Sequence, residues 1–300
     1  MTLIRTLTHT LMAAVCFCIF TDAAAMETAG SSGTEGLANP FFAMDTGTKD
    51  ATHQTAKAQA EMLKELGYPG IGGSLDNLSE MLDELDKNGL KLFAVYTGAW
   101  LDTDKEKYEP RLREAIKLLK GRGTILWLFI QSSQHKLSSP EGDPRAVEIV
   151  REIADMADES GLKVALYPHT NFWLERVEDA IRVAEKVNRK NVGVTFNLCH
   201  WLMVDKEESM EAQLKLAMPY LYVVTINGAD SGGKDWTTLI QTLDRGTFDI
   251  HKFLKTLKAL GYTGPIGLQH YGIKGDAREN LQRSLAAWRR LSGKTAAEEE

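Results

Sequence analysis

His169 and His200 each stand just past an apolar run of strand character, LKVALY (162–167) and NVGVTFN (191–197). An imidazole titrates near neutrality, so two of them at one end of a sheet can divide the removal and return of a proton. Tyr167, whose phenol keeps its proton at neutral pH, is a third candidate carrier. The same positional rule gathers neutral hydrogen-bonding groups around them. Gln131, Asn197 and Asn227 close their strands, Gln269 and His270 together end the last one, and Asp230 lies just beyond the seventh. Side chains of this kind suit the hydroxyl groups of a bound small molecule.

Strands and helices must bring these residues together. Strand patterns fall at 39–46, 68–74, 90–97, 124–131, 162–167, 191–197, 221–227 and 264–270. Helical spacing follows each one, at 54–66, 75–88, 111–120, 144–161, 176–187, 209–218, 249–260 and 277–291. Eight strand-then-helix units predict an α/β fold, a single (β/α)8 TIM barrel, with its chemistry at the carboxyl ends of the strands. A doubly wound open sheet is the alternative, but no glycine-rich phosphate loop follows the first strand. Strand alternation puts Ala165, Tyr167 and His169 on one face, with Thr195 and Asn197, Thr225 and Asn227, and Gly267 and Gln269 on theirs. If that face is the barrel interior, Tyr167, Asn197, Asn227 and Gln269 converge. His270 has the opposite parity.

The ends of the chain suggest its compartment. Arg5 precedes an apolar stretch from Leu11 to Phe20, and Ala23-Ala24-Ala25 offers a small-residue cleavage site, so residues 1–25 read as an export signal. The stretch is shorter than the roughly 18 apolar residues that suggest a membrane span, so no membrane association is expected after cleavage. A flexible spacer is expected at 26–38, the barrel at 39–293, and a disordered acidic tail at 294–300. The mature protein is thereby expected to be periplasmic or extracellular. Cys16 and Cys18 fall in the signal, which leaves Cys199 without an intramolecular disulfide partner. The net charge is −6 and no basic stripe with interleaved aromatics occurs, which disfavours nucleic-acid binding.

Four stretches in order, VALYPHT, VGVTFNLCH, TINGAD and GYTGPIGLQ, resemble the xylose isomerase-like TIM barrels, which include sugar isomerases and epimerases and endonuclease IV-type repair enzymes. The resemblance implies a divalent metal held by Glu, Asp, His and Glu from strands five to eight, the two glutamates also serving as the acid–base pair. By motif those positions here are Tyr167, Asn197, Asn227 and Gln269. Every one lacks the strong ligand, and amide carbonyls with a phenol bring no negative charge to a hard cation. The accessory histidine corresponds to His200, and Asp230 fits the pattern after strand seven.

Three readings follow. In the first, the protein is an isomerase, epimerase or related lyase acting on a non-phosphorylated carbohydrate or keto-sugar. No cofactor is needed there: His169, His200 and Tyr167 move protons, and Gln131, Asn197, Asn227, Asp230, Gln269 and His270 bind substrate. In the second, His135, His169, His200 and His270 rebuild a divalent metal site, since imidazole suits Zn²⁺. In the third, the protein is a carbohydrate binder without turnover, walled by Trp100, Trp173, Trp201 and Trp236. The loop NGADSGGK, ending in Lys234, is a weak phosphate signal, and a repair nuclease lacks its metal cluster and basic face.

Overall fold

The computed structural model describes residues 37–297. Eight parallel strands close in sequence order, β1 to β8 with β8 hydrogen-bonded back to β1, so the fold is a (β/α)8 barrel as expected. The expected export signal and most of the spacer lie outside the described residues.

The chain runs β1 (Phe41–Met44), α1 (Ala56–Leu66), β2 (Gly70–Ser74), α2 (Leu78–Asn88), β3 (Lys91–Trp100), α3 (Leu112–Leu118), β4 (Ile125–Gln131), α4 (Asp143–Asp158) and β5 (Lys163–Leu166). It continues with α5 (Val177–Val187), β6 (Val192–Asn197), α6 (Leu198–Val204), α7 (Met210–Ala217), β7 (Leu221–Ile226), α8 (Trp236–Leu239), α9 (Ile250–Ala259), β8 (Ile266–Leu268) and α10 (Ala277–Ala297). The short helices α6 and α8 lie where loops were expected. The last helix runs past Leu291 to Ala297, into the segment expected as tail. β3 extends to Trp100 because its pairing with β4 continues to Trp100 opposite Gln131.

Local signals set the helix ends. The Thr55 side chain caps α1 by accepting from the Ala58 N–H, and Gly67 closes the helix at φ 89°, a left-handed conformation that costs glycine little. Asp249 caps α9 in the same way, through the Lys252 N–H. In α5, Val177, Ala180, Ile181, Val183, Ala184 and Val187 form one buried stripe against the sheet.

The core has two parts. One lies between strands and helices, and the other fills the barrel with Phe42, Met44, Ala94, Ile125, Trp127, Ala165, Tyr167 and Val223. Phe42 plugs the lower interior, fully buried and stacked on Phe93 at 4.8 Å. Its ring explains two strand glycines: a Cβ at Gly72 or Gly267 would come within 2.8 Å of it. Burying a side chain of this size contributes about 3 kcal/mol. Above this plug the barrel opens into a cavity.

Candidate active site

The cavity at the carboxyl ends of the strands has a volume of about 440 Å³. Tyr96, Trp127, Tyr167, Trp236 and Tyr271 supply aromatic walls, and His169, His200, Gln269, Asp45, Thr46 and Ser74 supply polar groups. Among the described residues no lysine or arginine lines it.

His169 comes from the turn after β5. That turn folds back through His169 N–H to Leu174 O and Phe172 N–H to His169 O, with Asn171 at φ 67°. Phe172 stacks flat on the His169 ring at 3.8 Å. His200 comes from α6, whose Leu198, Trp201 and Leu202 are buried in the core and fix the helix directly on the end of β6. The two imidazoles lie 3.9 Å apart, centroid to centroid.

One residue gives the two rings opposite tautomers. His169 Nδ1 lies 2.8 Å from the Thr170 carbonyl, which only accepts, so Nδ1 carries the proton and Nε2 keeps a free lone pair. The Thr170 backbone N–H donates to His200 Nδ1 at 3.3 Å, so His200 carries its proton on Nε2. The Thr170 hydroxyl stays within reach of the same nitrogen at 3.2 Å. Burial lowers the pKa of His169, opposed by its bond to Thr170, and lowers that of His200 well below the usual value, helped by His169 beside it. Both rings are neutral at pH 7, one a base and one a hydrogen-bond donor.

Beneath them runs a chain of neutral groups. The Cys199 thiol donates to Asn197 Oδ1 at 3.1 Å, and Asn197 Nδ2 donates to the Tyr167 hydroxyl. The Gln269 side chain also bonds that hydroxyl, while its Oε1 accepts from Thr46 Oγ1 at 2.9 Å and the Tyr271 N–H at 3.0 Å. Burial, with no cation near, holds the Tyr167 phenol well above its ordinary pKa and pushes the Cys199 thiol up to about 12. Both keep their protons.

Of the candidate residues, Tyr167, His169, His200 and Gln269 meet at the cavity, and Asn197 lies just below, bonded to Tyr167. The others are elsewhere. Gln131 accepts from the Trp100 indole at 3.0 Å, outside the cavity wall. Asn227 faces inward as its parity requires, but its Nδ2 is bound to Gly228 O and Leu239 O, fastening the loop after β7. Asp230 sits on that loop, away from the wall, with its N–H on Thr238 O. His270 turns outward to Ser284 of α10 at 2.9 Å, consistent with its parity. Trp236 alone of the four loop tryptophans lines the cavity, edge-on to His200. Trp173 and Trp201 are core residues. Asp45, Ser74, Tyr96 and Trp127 also line the cavity and were not among the sequence candidates, since a polar residue after a weak strand or an aromatic within a strong one carries no distinct signal. The alternation in ILWLFIQ already turns Trp127 to the same side as Gln131.

The donor set does not fit the family's divalent cation. Three of the four corresponding side chains are uncharged amides, the Asn197 and Gln269 oxygens already accepting from Cys199 and Thr46 and the Asn227 oxygen alone without a partner among the described residues, and the fourth is a protonated phenol. Among the described residues no three of His, Cys, Asp and Glu come together as metal ligands. His135 is held off the cavity by its turn, where its N–H meets Ser132 Oγ at 3.0 Å.

Fold and site together define a TIM barrel with an aromatic-walled cavity at the carboxyl ends of its strands. The sequence profile of the xylose isomerase-like TIM barrel family matches residues 54–291, and the chain belongs to that family. It is 27% identical over 191 residues to a ketose 3-epimerase from Arthrobacter globiformis, covering 61% of this chain. That alignment spans about three-fifths of the relative's own length, 62%. Among solved structures, 3-keto-D-glucoside 4-epimerase from E. coli superposes with a TM-score of 0.68 at 16% identity, covering 84% of this chain and 99% of that one. The IOLI protein, solved with a zinc atom, gives 0.70 at 19% identity, covering 85% and 98%. These structural likenesses show the fold.

Proposed function

We propose that this protein is an isomerase or epimerase of a non-phosphorylated carbohydrate, a keto-sugar above all, and that it moves protons with its own side chains instead of a metal-held carboxylate pair. The observation that carries this reading is the His169–His200 pair, in contact at the cavity and set in opposite tautomers by Thr170. His169 Nε2 is the base that removes the proton beside the substrate carbonyl. His200 Nε2–H donates to the carbonyl oxygen as negative charge develops there, a role a neutral imidazole fills well. The Tyr167 hydroxyl is the third proton-bearing group on that side.

The rest of the cavity supports a sugar substrate. Trp127, Trp236 and Tyr271 offer flat apolar faces for sugar C–H groups. The lack of lysine or arginine in the wall disfavours phosphorylated or acidic sugars. The uncharged amides and phenol at the family's ligand positions support metal independence. The export signal read from residues 1–25 supports action outside the cytoplasm, where unphosphorylated sugars are the available class.

The aromatic walls and bound amides equally suit a carbohydrate binder without turnover, and one experiment separates the two. His200→Ala, confirmed as folded by circular dichroism, is compared with the parent on free ketoses and keto-glucosides. Turnover by the parent and its loss in the variant support catalysis by this pair. A fully active variant overturns the reading, and binding without conversion by the parent favours the binder.

A further inference from the structure

We propose that Asp45 is the second catalytic proton-transfer residue of this cavity, working on the face of the substrate opposite His169. This rests on the epimerase reading above and deepens it, because inversion at a carbon needs a proton removed from one face and returned to the other. The histidine pair and Tyr167 stand together at the ends of β5 and β6. A base confined to that side would return the proton to the face it came from.

Asp45 begins the single turn Asp45–Gly47 that follows β1. In a closed eight-stranded barrel, β1 and β5 are four strands apart in either direction, so Asp45 and His169 line the mouth from opposite sides. Among the described residues Asp45 is the single carboxylate in the cavity wall. Its neighbours fix it there: the Ser74 side chain bonds its carboxyl, and the next residue, Thr46, is tied to Gln269 at 2.9 Å. β1 pairs directly with β8, so the carboxylate absent at Gln269 is supplied from the adjacent strand. Burial raises the Asp45 pKa above the usual carboxylate range, against the lowering pull of Lys49, Ser74 and Thr46. That shift favours a carboxyl that can present a proton. Asp102, also near a strand end, is unsuited: Ser132, Ser133 and Lys105 engage its oxygens and hold it ionised.

The step balances without a co-reactant. His169 Nε2 takes the proton from the carbon beside the carbonyl. The C–H electron pair moves into a C=C bond, and the carbonyl pair moves onto oxygen, where His200 donates. The carbonyl then re-forms as the carbon takes a proton from the Asp45 carboxyl on the opposite face. This leaves His169 protonated and Asp45 ionised, and water resets both. The reverse reaction begins with Asp45 as base.

The test uses the full-length protein in D₂O with D-allulose, D-fructose and a 3-keto-D-glucoside, followed by proton NMR, for the parent, Asp45→Asn and Asp45→Ala. The parent is expected to epimerise a substrate with one solvent deuterium at the inverted carbon. Both variants are expected to lose about 10²- to 10⁴-fold in epimerisation while still exchanging the proton that His169 removes in recovered substrate. Epimerisation within a few-fold of the parent in either folded variant overturns the role of Asp45 and leaves the epimerase reading standing. Loss of exchange along with epimerisation, with substrate binding unchanged, also overturns an opposite-face role. A parent that neither exchanges nor converts any of the three sugars overturns both proposals.

Discussion

Acidification from about pH 7.5 to 5.5 should destabilise the fold, and His270 should account for roughly 1.3 kcal/mol of the loss. Its side chain is 2% exposed, between the turn after β1 and α10. Burial lowers its pKa from 6.5 to about 4, with Asp244 pulling weakly upward. A histidine with a depressed native pKa takes up its proton first in the unfolded chain. Between these two values the unfolded state holds more protons, so stability falls as pH falls. Near pH 7.5 neither state is charged and the contribution is close to nil. By pH 5.5 an unfolded histidine is about ten-elevenths protonated while the native one remains neutral, which gives the figure above. His169 and His200 are shifted in the same direction and steepen the loss. The assay is urea unfolding at both pH values for the parent and for His270→Gln, whose amide can still meet Ser284. The glutamine variant should lose about 1.3 kcal/mol less on acidification, the other groups cancelling in the comparison. Equal losses in the two proteins would refute the argument and mean that native His270 protonates near its ordinary pKa.

Two further outcomes can be checked. Long-range proton–nitrogen correlation spectra near neutral pH should show His169 protonated on Nδ1 and His200 on Nε2, and finding the same tautomer in both rings would remove the division into base and donor. Tyr167→Phe should destabilise the protein by about 1–3 kcal/mol, because the buried Asn197 amide loses its acceptor. Unchanged thermal unfolding in that variant would show that the amide finds another partner.

Much of this architecture was legible because barrel strands and helices differ in period, and a helix follows every strand of the chain, with only the short α6 and α8 added. Strand parity also placed Tyr167 and Gln269 correctly and marked His270 as facing the wrong way. Parity tells which face a side chain takes, not what claims it once there. Asn227 faces the interior as expected, yet two backbone carbonyls of its own loop take its amide. Gln131 and Trp100 satisfy each other because β3 and β4 pair further than their hydrophobic runs suggest. α6 was hidden for a different reason: LCHWLMV is short, apolar on nearly every side and continuous with β6, so neither period registers. His200 was found because histidine is conspicuous. Asp45 was missed because an aspartate after a strand has the composition of any turn.

The four neutral positions make sense as one change rather than four. Carboxylates converging at the tips of β5 to β8 are tolerable when a divalent cation neutralises them. Without the cation, each would be a buried charge facing like charges, at a cost of several kcal/mol. Replacing one or two would leave the rest unpaired, so a site that works without a cation has to lose its charges together. The chain from Cys199 through Asn197 to Tyr167 and on to Gln269 is such a set, its members bonding one another without a formal charge. On the metal-free reading proposed above, proton transfer needs groups that titrate or hydrogen-bond usefully while neutral. Imidazoles at β5 and β6, kept neutral by burial and by each other, and a partly desolvated carboxyl at β1 meet that requirement. On this argument, restoring a single carboxylate with Gln269→Glu should weaken the protein rather than return the family's chemistry. The glutamate would share the cavity wall with Asp45, beyond the paired ends of β1 and β8, with no added cation to offset it. A Gln269→Glu variant as stable as the parent near pH 8, where both carboxyls ionise most readily, would contradict the argument.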